Sequence, residues 1–217
     1  NIGVSGRFTY DFSNRYFTEF NFGYNGSEKF DKGHRWGFFP SFGIGWTPSN
    51  EEFWTGSILE KFSNLRFRLT YGSIGNDEIG SERFFYLSNI NIGGGDSFTS
   101  GYDFDKTKSG VKINNYPNSE IGWEISYKTN FGIDIGLLKG DLTIMADIFK
   151  EIRTNILQPR ADVPTSMGLW ATPLTNVGKA KGTGFDISID YNHIFNNDLW
   201  MIGRTNFTFA KSKFEFY

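Results

Sequence analysis

Eight segments of the chain alternate large apolar and polar residues at every second position. The clearest covers residues 15–24, where Phe20 and Phe22 point to one side. Glu19 and Asn21, which alternate with them, point to the other side. A period of two predicts a β-strand, because successive side chains of a strand face opposite sides of its sheet. The eight predicted strands lie at about residues 2–12, 16–24, 38–46, 65–74, 121–135, 142–149, 185–192 and 199–211.

The two faces of these strands differ strongly in composition. Aromatic residues make up 18% of the 217 residues, with 24 Phe, while the mean hydropathy is only −0.39. A soluble β-domain would draw more of its core from Leu, Ile and Val. Abundant Phe together with a negative mean hydropathy favours strands with one polar, solvent-exposed face and one apolar face. An aromatic-rich soluble β-domain remains an alternative.

The connections between the strands follow an order. The first, fifth and seventh are tight, whereas the second, fourth and sixth are long, covering about residues 25–36, 75–119 and 157–183. The fourth could hold a hairpin near residues 83–92. The third, residues 47–64, is predicted to hold one or two helical turns, with Ile58 and Leu59 at helical spacing. All three long loops therefore fall at one end of an up-and-down antiparallel sheet. Strands of about ten residues with this layout are typical of an outer-membrane β-barrel.

Charge and cysteine content exclude other classes. The net charge is −2 and the 22 Lys and Arg are dispersed, so nucleic acid is not expected as a partner. No run of about 18 apolar residues predicts a spanning helix. Cysteine is absent, which excludes disulfides, a thiol nucleophile and a thiolate metal site. Both ends fall inside strand-like patterns, and we interpret the chain as an internal piece of a longer protein.

Several sequence blocks occur in an order that resembles one family. The blocks are residues 6–16, 22–27, 35–46, 69–76, 118–124, 130–147 and 176–185. Together they resemble successive blocks of the SusC/RagA family, the TonB-dependent outer-membrane transporters of Bacteroidetes. The similarity covers nearly the whole chain.

This resemblance implies a bacterial outer-membrane importer. The expected fold is all-β, a transmembrane barrel of 22 strands of which residues 1–217 supply about eight, with the plug domain absent from this chain. The family resemblance further implies a SusD-like surface lipoprotein as partner, coupling to the TonB complex through the plug, and oligosaccharides or peptides as cargo. Outer-membrane lipid would surround the barrel, and no cofactor is implied.

Charged residues on the polar faces are expected to point into the lumen. A charge on the lipid side of a barrel strand costs about 2–4 kcal/mol near the midplane. These residues could form a polar conduit and contact the plug, or they could serve only interior solvation and cross-strand pairing. They are Glu19, Arg66, Arg68, Glu124, Lys128, Asp134, Asp147, Asp186 and Asp190.

Aromatic residues on the long-loop side are candidates for substrate binding. They could stack on sugar rings or contact a lid protein. These candidates are Phe84, Phe85, Tyr86, Tyr102, Tyr116 and Trp170. Trp36, Trp46 and Trp123 instead suit the aromatic belts at the membrane interfaces.

The sequence offers little support for catalysis. His34 lies in a loop and His193 ends a strand, and the sequence places no serine or carboxylate convincingly beside either. The oxygen-rich run 103–110 lacks the glycine and distal glutamate of an EF-hand, so no metal site is predicted. We therefore expect no enzyme activity. Two alternatives stay open: a soluble or surface-anchored β-sandwich that binds glycans, and an outer-membrane enzyme.

Overall fold

Eight strands of the chain form one antiparallel sheet in the computed structural model, which describes residues 2–56, 61–80, 83–196 and 198–215. The bounds are β1 Ile2–Phe12, β2 Tyr16–Gly26, β3 Trp36–Trp46, β4 Phe62–Asn76, β7 Glu124–Leu137, β8 Leu142–Pro159, β9 Leu174–Asn196 and β10 Leu199–Glu215. Each strand pairs with its neighbours in the order β1-β2-β3-β4-β7-β8-β9-β10. This sheet confirms the predicted fold class. No helix among these residues is long and apolar enough to cross a membrane.

A separate hairpin interrupts the connection between β4 and β7. Its strands are β5, Asn89–Ser100, and β6, Lys106–Asn115. The sequence analysis treated residues 75–119 as a long loop with a hairpin near residues 83–92, so the hairpin lies later than predicted. Alternation is hard to see there because the pairing shifts on both sides of Gly95, within a run of three glycines.

The pairing register keeps the apolar residues of neighbouring strands on one face. Phe20 lies opposite Phe8 on β1 and Phe42 on β3. Similar rows continue to the other edge, where Phe185 lies opposite Phe209. We call the eight-stranded sheet the wall and this side its aromatic face. The aromatic face is largely uncovered by the chain itself, since Phe8 is 65% exposed.

The buried apolar side chains that the structure describes lie beyond the wall, among the long connections. Phe30, Phe85 and Ile121 are at most 2% exposed and pack together. They come from the β2–β3 connection and from the two ends of the β4–β7 connection. The core of this chain is therefore at one end of the sheet rather than on one of its faces.

The third connection begins with a 3-10 turn at Pro48–Asn50. The positions Ile58 and Leu59 lie outside the described residues, so the predicted one or two helical turns stay a prediction. Glu51 has extended backbone angles, which ends the turn. Its carboxylate accepts a hydrogen bond from the Trp46 indole at 3.1 Å. Hydrogen bonds from the Tyr16 hydroxyl and then from Trp46 lower the pKa of Glu51.

Two strands are longer than the sequence pattern indicates. β8 continues to Pro159 and β9 begins at Leu174, which shortens the predicted 157–183 loop to residues 160–173. The alternation fades there because Lys150 and Lys181 replace apolar residues on the aromatic face. β3 is continuous through Pro40, but its pairing with β4 extends only from Ser41 to Trp46, consistent with the missing N–H of proline.

Candidate functional site

The polar face of the wall carries all nine charged residues singled out from the sequence. The strand register puts them on the side opposite the aromatic face. A concave hollow of about 740 Å³ lies against this side, lined in part by Glu19, Arg66, Arg68 and Lys128. The wall thus combines an apolar outer surface with a polar, hollowed surface, as a conduit requires.

Arg68 is the centre of an ion-pair network that crosses three strands. Its Nη2 donates to Asp134 Oδ1 at 2.9 Å and to Asp147 Oδ2 at 3.1 Å. Asn130 Nδ2 donates to the other Asp147 oxygen at 2.9 Å. The position between them is Gly132, where a Cβ would lie 2.6 Å from Asp147 Oδ1 and 2.8 Å from Arg68 Nη2. Glycine therefore leaves the space in which this network forms.

A second polar cluster joins β7 to β8 nearer the long connections. Glu151 accepts from the Ser126 hydroxyl at 2.5 Å and from Arg153 Nε at 3.1 Å. Lys128 Nζ lies 3.9 Å from the same carboxylate, and Arg153 lies 3.7 Å from Glu124. Lys128 and Glu124 are among the predicted polar-face residues, whereas Glu151 and Arg153 are not, although both continue the polar alternation of β8.

Two further ion pairs involve partners that the sequence analysis missed. Arg7 donates to Glu19 at 2.6 Å across β1 and β2, and Arg204 donates to Asp190 across β9 and β10. Both arginines lie on the polar face: Arg204 is directly opposite Asp190, whereas Arg7 is opposite Asn21 and reaches Glu19 diagonally. Cross-strand pairing is thus one use of the polar face, as the sequence analysis considered.

The three long connections, with the first residues of β9, form a unit that we call the loop collar, residues 27–35, 77–80, 83–123 and 160–176. Ser27 is fully buried, and its hydroxyl donates to Asp77 Oδ2 at 2.7 Å. Lys29 Nζ donates to Glu78 at 2.7 Å, and Arg83 donates to Glu28 at 2.8 Å. The Arg83 hydrogen bond lowers the pKa of Glu28. These contacts fix the first connection against the second.

Trp123 and two asparagines extend the collar to the third connection. The Trp123 indole donates to the Arg35 carbonyl at 3.1 Å, and its ring centroid lies 5.3 Å from that of Phe30. Asn118 Nδ2 donates to the Leu174 carbonyl at 2.8 Å, while Asn176 exchanges two hydrogen bonds with the backbone of Gly122. Trp123 was expected in an interfacial belt, whereas it packs inside the collar.

The six aromatic residues predicted to bind substrate occupy different environments at the collar end of the sheet. Phe84 and Tyr86 lie together with ring centroids 6.1 Å apart, and Arg83 lies 5.3 Å from the Phe84 ring. Tyr102 is 99% exposed between β5 and β6, Trp170 is exposed, and Tyr116 is half-buried. Phe85 is 2% exposed, so its side chain packs in the collar core and presents no ring to a ligand.

Both histidines have carboxylate neighbours that the sequence analysis did not place. His193 Nδ1 lies 2.6 Å from Asp141 Oδ2, which links β9 to the β7–β8 turn. His34 Nδ1 lies 3.0 Å from the Ser119 carbonyl and its Nε2 lies 3.7 Å from Glu120. His34 is therefore another cross-link within the collar. Within the described ranges, no group of three or more His, Cys, Asp or Glu residues is arranged to hold a metal ion.

Comparisons with known proteins agree with this architecture. The sequence model of the family "TonB dependent receptor-like, beta-barrel" matches residues 1–216. The chain is 30% identical to the TonB-dependent receptor SusC of Bacteroides thetaiotaomicron, over 91% of this chain and 19% of that protein. It is 27% identical to TonB-dependent receptor P3 of Formosa agariphila, over 98% of this chain and 20% of that protein. The chain thus spans about a fifth of the length of these relatives.

Solved structures show the same fold. The RagAB peptide importer in its open-open state superposes with a TM-score of 0.78 at 24% identity, over 98% of this chain and 22% of the matched chain. The closed-closed state gives a TM-score of 0.77 at 23% identity, over 99% and 22%. At this identity the likeness establishes the fold of the wall.

Proposed function

Because the chain belongs to the TonB-dependent receptor β-barrel family of the bacterial outer membrane, we propose that it forms part of the wall and outer mouth of a nutrient importer. The observation that carries this proposal is the order of the connections. The β2–β3, β4–β7 and β8–β9 connections all leave the wall at the same end and form the loop collar, while the other end has three short turns and the β3–β4 connection. The family is one of receptors and transporters rather than an enzyme class.

The wall is oriented with its aromatic face to lipid and its polar face to the lumen. In a closed barrel every strand edge is paired, so that backbone groups meet no lipid. The Arg68 network and the other charged residues of the polar face then line the interior, where they contact water and the plug. The 3-10 turn at Pro48–Asn50 and the short turns lie on the periplasmic side, and the plug outside this chain would couple to TonB.

The loop collar faces the cell exterior and receives cargo together with a SusD-like lipoprotein. The solved RagAB structures, which share this fold, are those of a peptide importer, and a sequence relative is SusC. Oligosaccharides and peptides are the two cargo classes we propose. Phe84, Tyr86, Tyr102, Tyr116 and Trp170 offer aromatic surface for either class or for the lipoprotein.

Growth of a deletion strain tests the importer proposal. The gene is deleted, and the strain is grown on oligosaccharides or on peptides as the only carbon source. We expect a growth defect on one class that the full-length gene restores and that a proton-motive-force uncoupler reproduces in short-term uptake. Normal growth and uptake on both classes would contradict the proposal, as would a full-length protein that stays monomeric in buffer without detergent.

Two substitutions test whether collar aromatics contact the cargo. A stacked ring is worth about 1 kcal/mol, so Tyr102→Ala or Trp170→Ala should raise the half-saturating cargo concentration about fivefold for a contacting residue. Phe8→Ala, an exposed aromatic position on the aromatic face of the wall and away from the collar, is the control. An unchanged half-saturating concentration in both variants would remove these two rings from the cargo path without affecting the importer proposal.

A further inference from the structure

Four of the lysines on the aromatic face of the wall lie close together, just beyond the row formed by Ile148, Phe185 and Phe209. We call them the lysine patch: Lys150 on β8, Lys181 on β9, and Lys211 and Lys213 on β10. Along β8, Lys150 follows Ile148 on the same face, and along β10, Lys211 follows Phe209. All four side chains are exposed.

The strand register brings the four lysines into adjacent rows. Lys181 lies directly opposite Lys213. Lys211 lies opposite Thr183, and Thr183 lies opposite Lys150 on the next strand. Like charges directly opposite each other on neighbouring strands are destabilising. The wall therefore concentrates positive charge here at an electrostatic cost.

Among the described residues, no carboxylate offsets the charge of these four lysines. Across the part of the chain that the structure describes, none of the four lysines forms an ion pair. The acidic residue that β10 contributes to this face is Glu215, which lies 3.4 Å from Lys179 one row beyond the patch. An anion from outside the chain would neutralise the positive charge of the patch.

The patch lies at the height where the outer leaflet presents its headgroups. Lys181 is ten residues from Tyr191 along β9, and the aromatic-face positions between them include Ile187 and Phe185. Ten residues of a strand tilted by about 40° rise about 25 Å, which matches the apolar band of an outer-membrane barrel. The lysines are at the end of this band nearest the loop collar, and hence on the outer side.

We propose that the lysine patch binds the phosphate groups of a phosphorylated glycolipid in the outer leaflet. The apolar rows beside it, Ile148, Phe185 and Phe209, contact the acyl chains, and the ammonium groups contact the phosphates. Clusters of basic residues at a membrane surface bind anionic headgroups in this way. The proposal depends on the membrane orientation of the wall and is independent of the cargo.

Native mass spectrometry of the full-length protein in detergent provides the test, with diphosphorylated lipid A as the probe. The patch variant carries K181Q, K211Q and K213Q. The control variant carries K106Q, K108Q and K112Q on β6, which removes the same charge from the hairpin. Each headgroup-facing lysine contributes about 1 kcal/mol, so the patch variant, which lacks three, should bind lipid A about 100-fold more weakly. The control variant should bind as the unaltered protein does.

A second comparison separates phosphate recognition from acyl-chain contact. Lipid A from which both phosphates have been removed should bind the unaltered protein as weakly as intact lipid A binds the patch variant. The proposal is overturned by a patch variant that retains full affinity, by equal loss in the control variant, or by tight binding of the phosphate-free lipid. Thermal unfolding of both variants in detergent shows whether they are folded, and a misfolded triple variant is replaced by the single substitution K181Q, for which a loss of about fivefold is expected.

Discussion

The wall and the loop collar use the same apolar residue types in opposite ways. Phe8 and Phe131 on the wall are 65% and 44% exposed, whereas Phe30 and Ile121 in the collar are 0% and 1% exposed. In the orientation that we propose, the wall gains its apolar contacts from lipid, so the chain need not cover that face. The collar projects into water and must bury its apolar side chains against one another. Stability of the collar is therefore a property of the chain, and stability of the wall is shared with the membrane.

The largest predicted effect comes from emptying the collar core. Phe30→Ala removes a fully buried ring and should lower the free energy of local opening by about 3–5 kcal/mol. Hydrogen exchange of the full-length protein in detergent measures this opening at residues 27–35 and 118–123. The change should stay confined to the collar, because the wall has its own hydrogen-bonded ladder.

Phe38→Ala is the matched control for that experiment. Phe38 is 56% exposed on the aromatic face, so it loses few contacts within the chain. Amides of the collar should exchange as in the unaltered protein. Equal loss of protection in the two variants would show that the wall and the collar do not differ in the way described.

A charge on the wall should produce the next largest effect. Phe131→Arg puts a cation on the aromatic face between Leu69 and Ile148, at a cost of about 2–4 kcal/mol near the bilayer midplane. Thr70→Arg, opposite Asn130 on the polar face, introduces the same charge into the lumen and should cost little. Urea unfolding from lipid vesicles compares the two. A similar loss in both variants would reverse the orientation that we propose for the wall.

The collar should also depend on one buried hydroxyl, with a smaller effect. Ser27→Ala removes the donor to Asp77 and should reduce collar protection by about 1–2 kcal/mol. Ser5→Ala, at an exposed position on β1, is the control and should leave protection unchanged. Protection in Ser27→Ala equal to that in Ser5→Ala would show that this hydrogen bond does not stabilise the collar.

The wall was predictable from sequence because each strand carries its own alternation. A strand such as β7 shows Ile125, Tyr127, Phe131 and Ile133 at every second position, and no tertiary information is needed to place them on one face. Even the nine polar-face residues follow from this local rule. Their partners do not, because the pairing of Arg68 with Asp147 joins strands that are not consecutive in the pattern and depends on register.

The collar could not be predicted in the same way. Phe30, Phe85 and Ile121 are isolated apolar residues in polar segments, and only the closing of the meander brings them together. The one available signal was that several of the recognisable sequence blocks include collar residues such as Ser27, Asn118 and Asn176. Their side chains make the hydrogen bonds that join the three connections. The aromatic candidates were chosen by position alone, and Phe85 shows the weakness of that criterion.

The smallest predicted effect concerns the exposed ion pair between Arg83 and Glu28 in the collar and its dependence on pH. Because the Arg83 hydrogen bond lowers the pKa of Glu28 in the folded protein, this pair stabilises the collar above about pH 4.3, the ordinary pKa of a glutamate. Its contribution is lost as the pH falls from there through the folded-state pKa. Glu28→Gln should therefore reduce collar protection slightly at neutral pH and make the acid-induced loss shallower, measured by hydrogen exchange corrected for the intrinsic rates. Wall amides should exchange alike in the two proteins, since Glu28 pairs with Arg83 within the collar. If collar protection falls with pH identically in both proteins, the acid sensitivity of the collar comes from its other carboxylates.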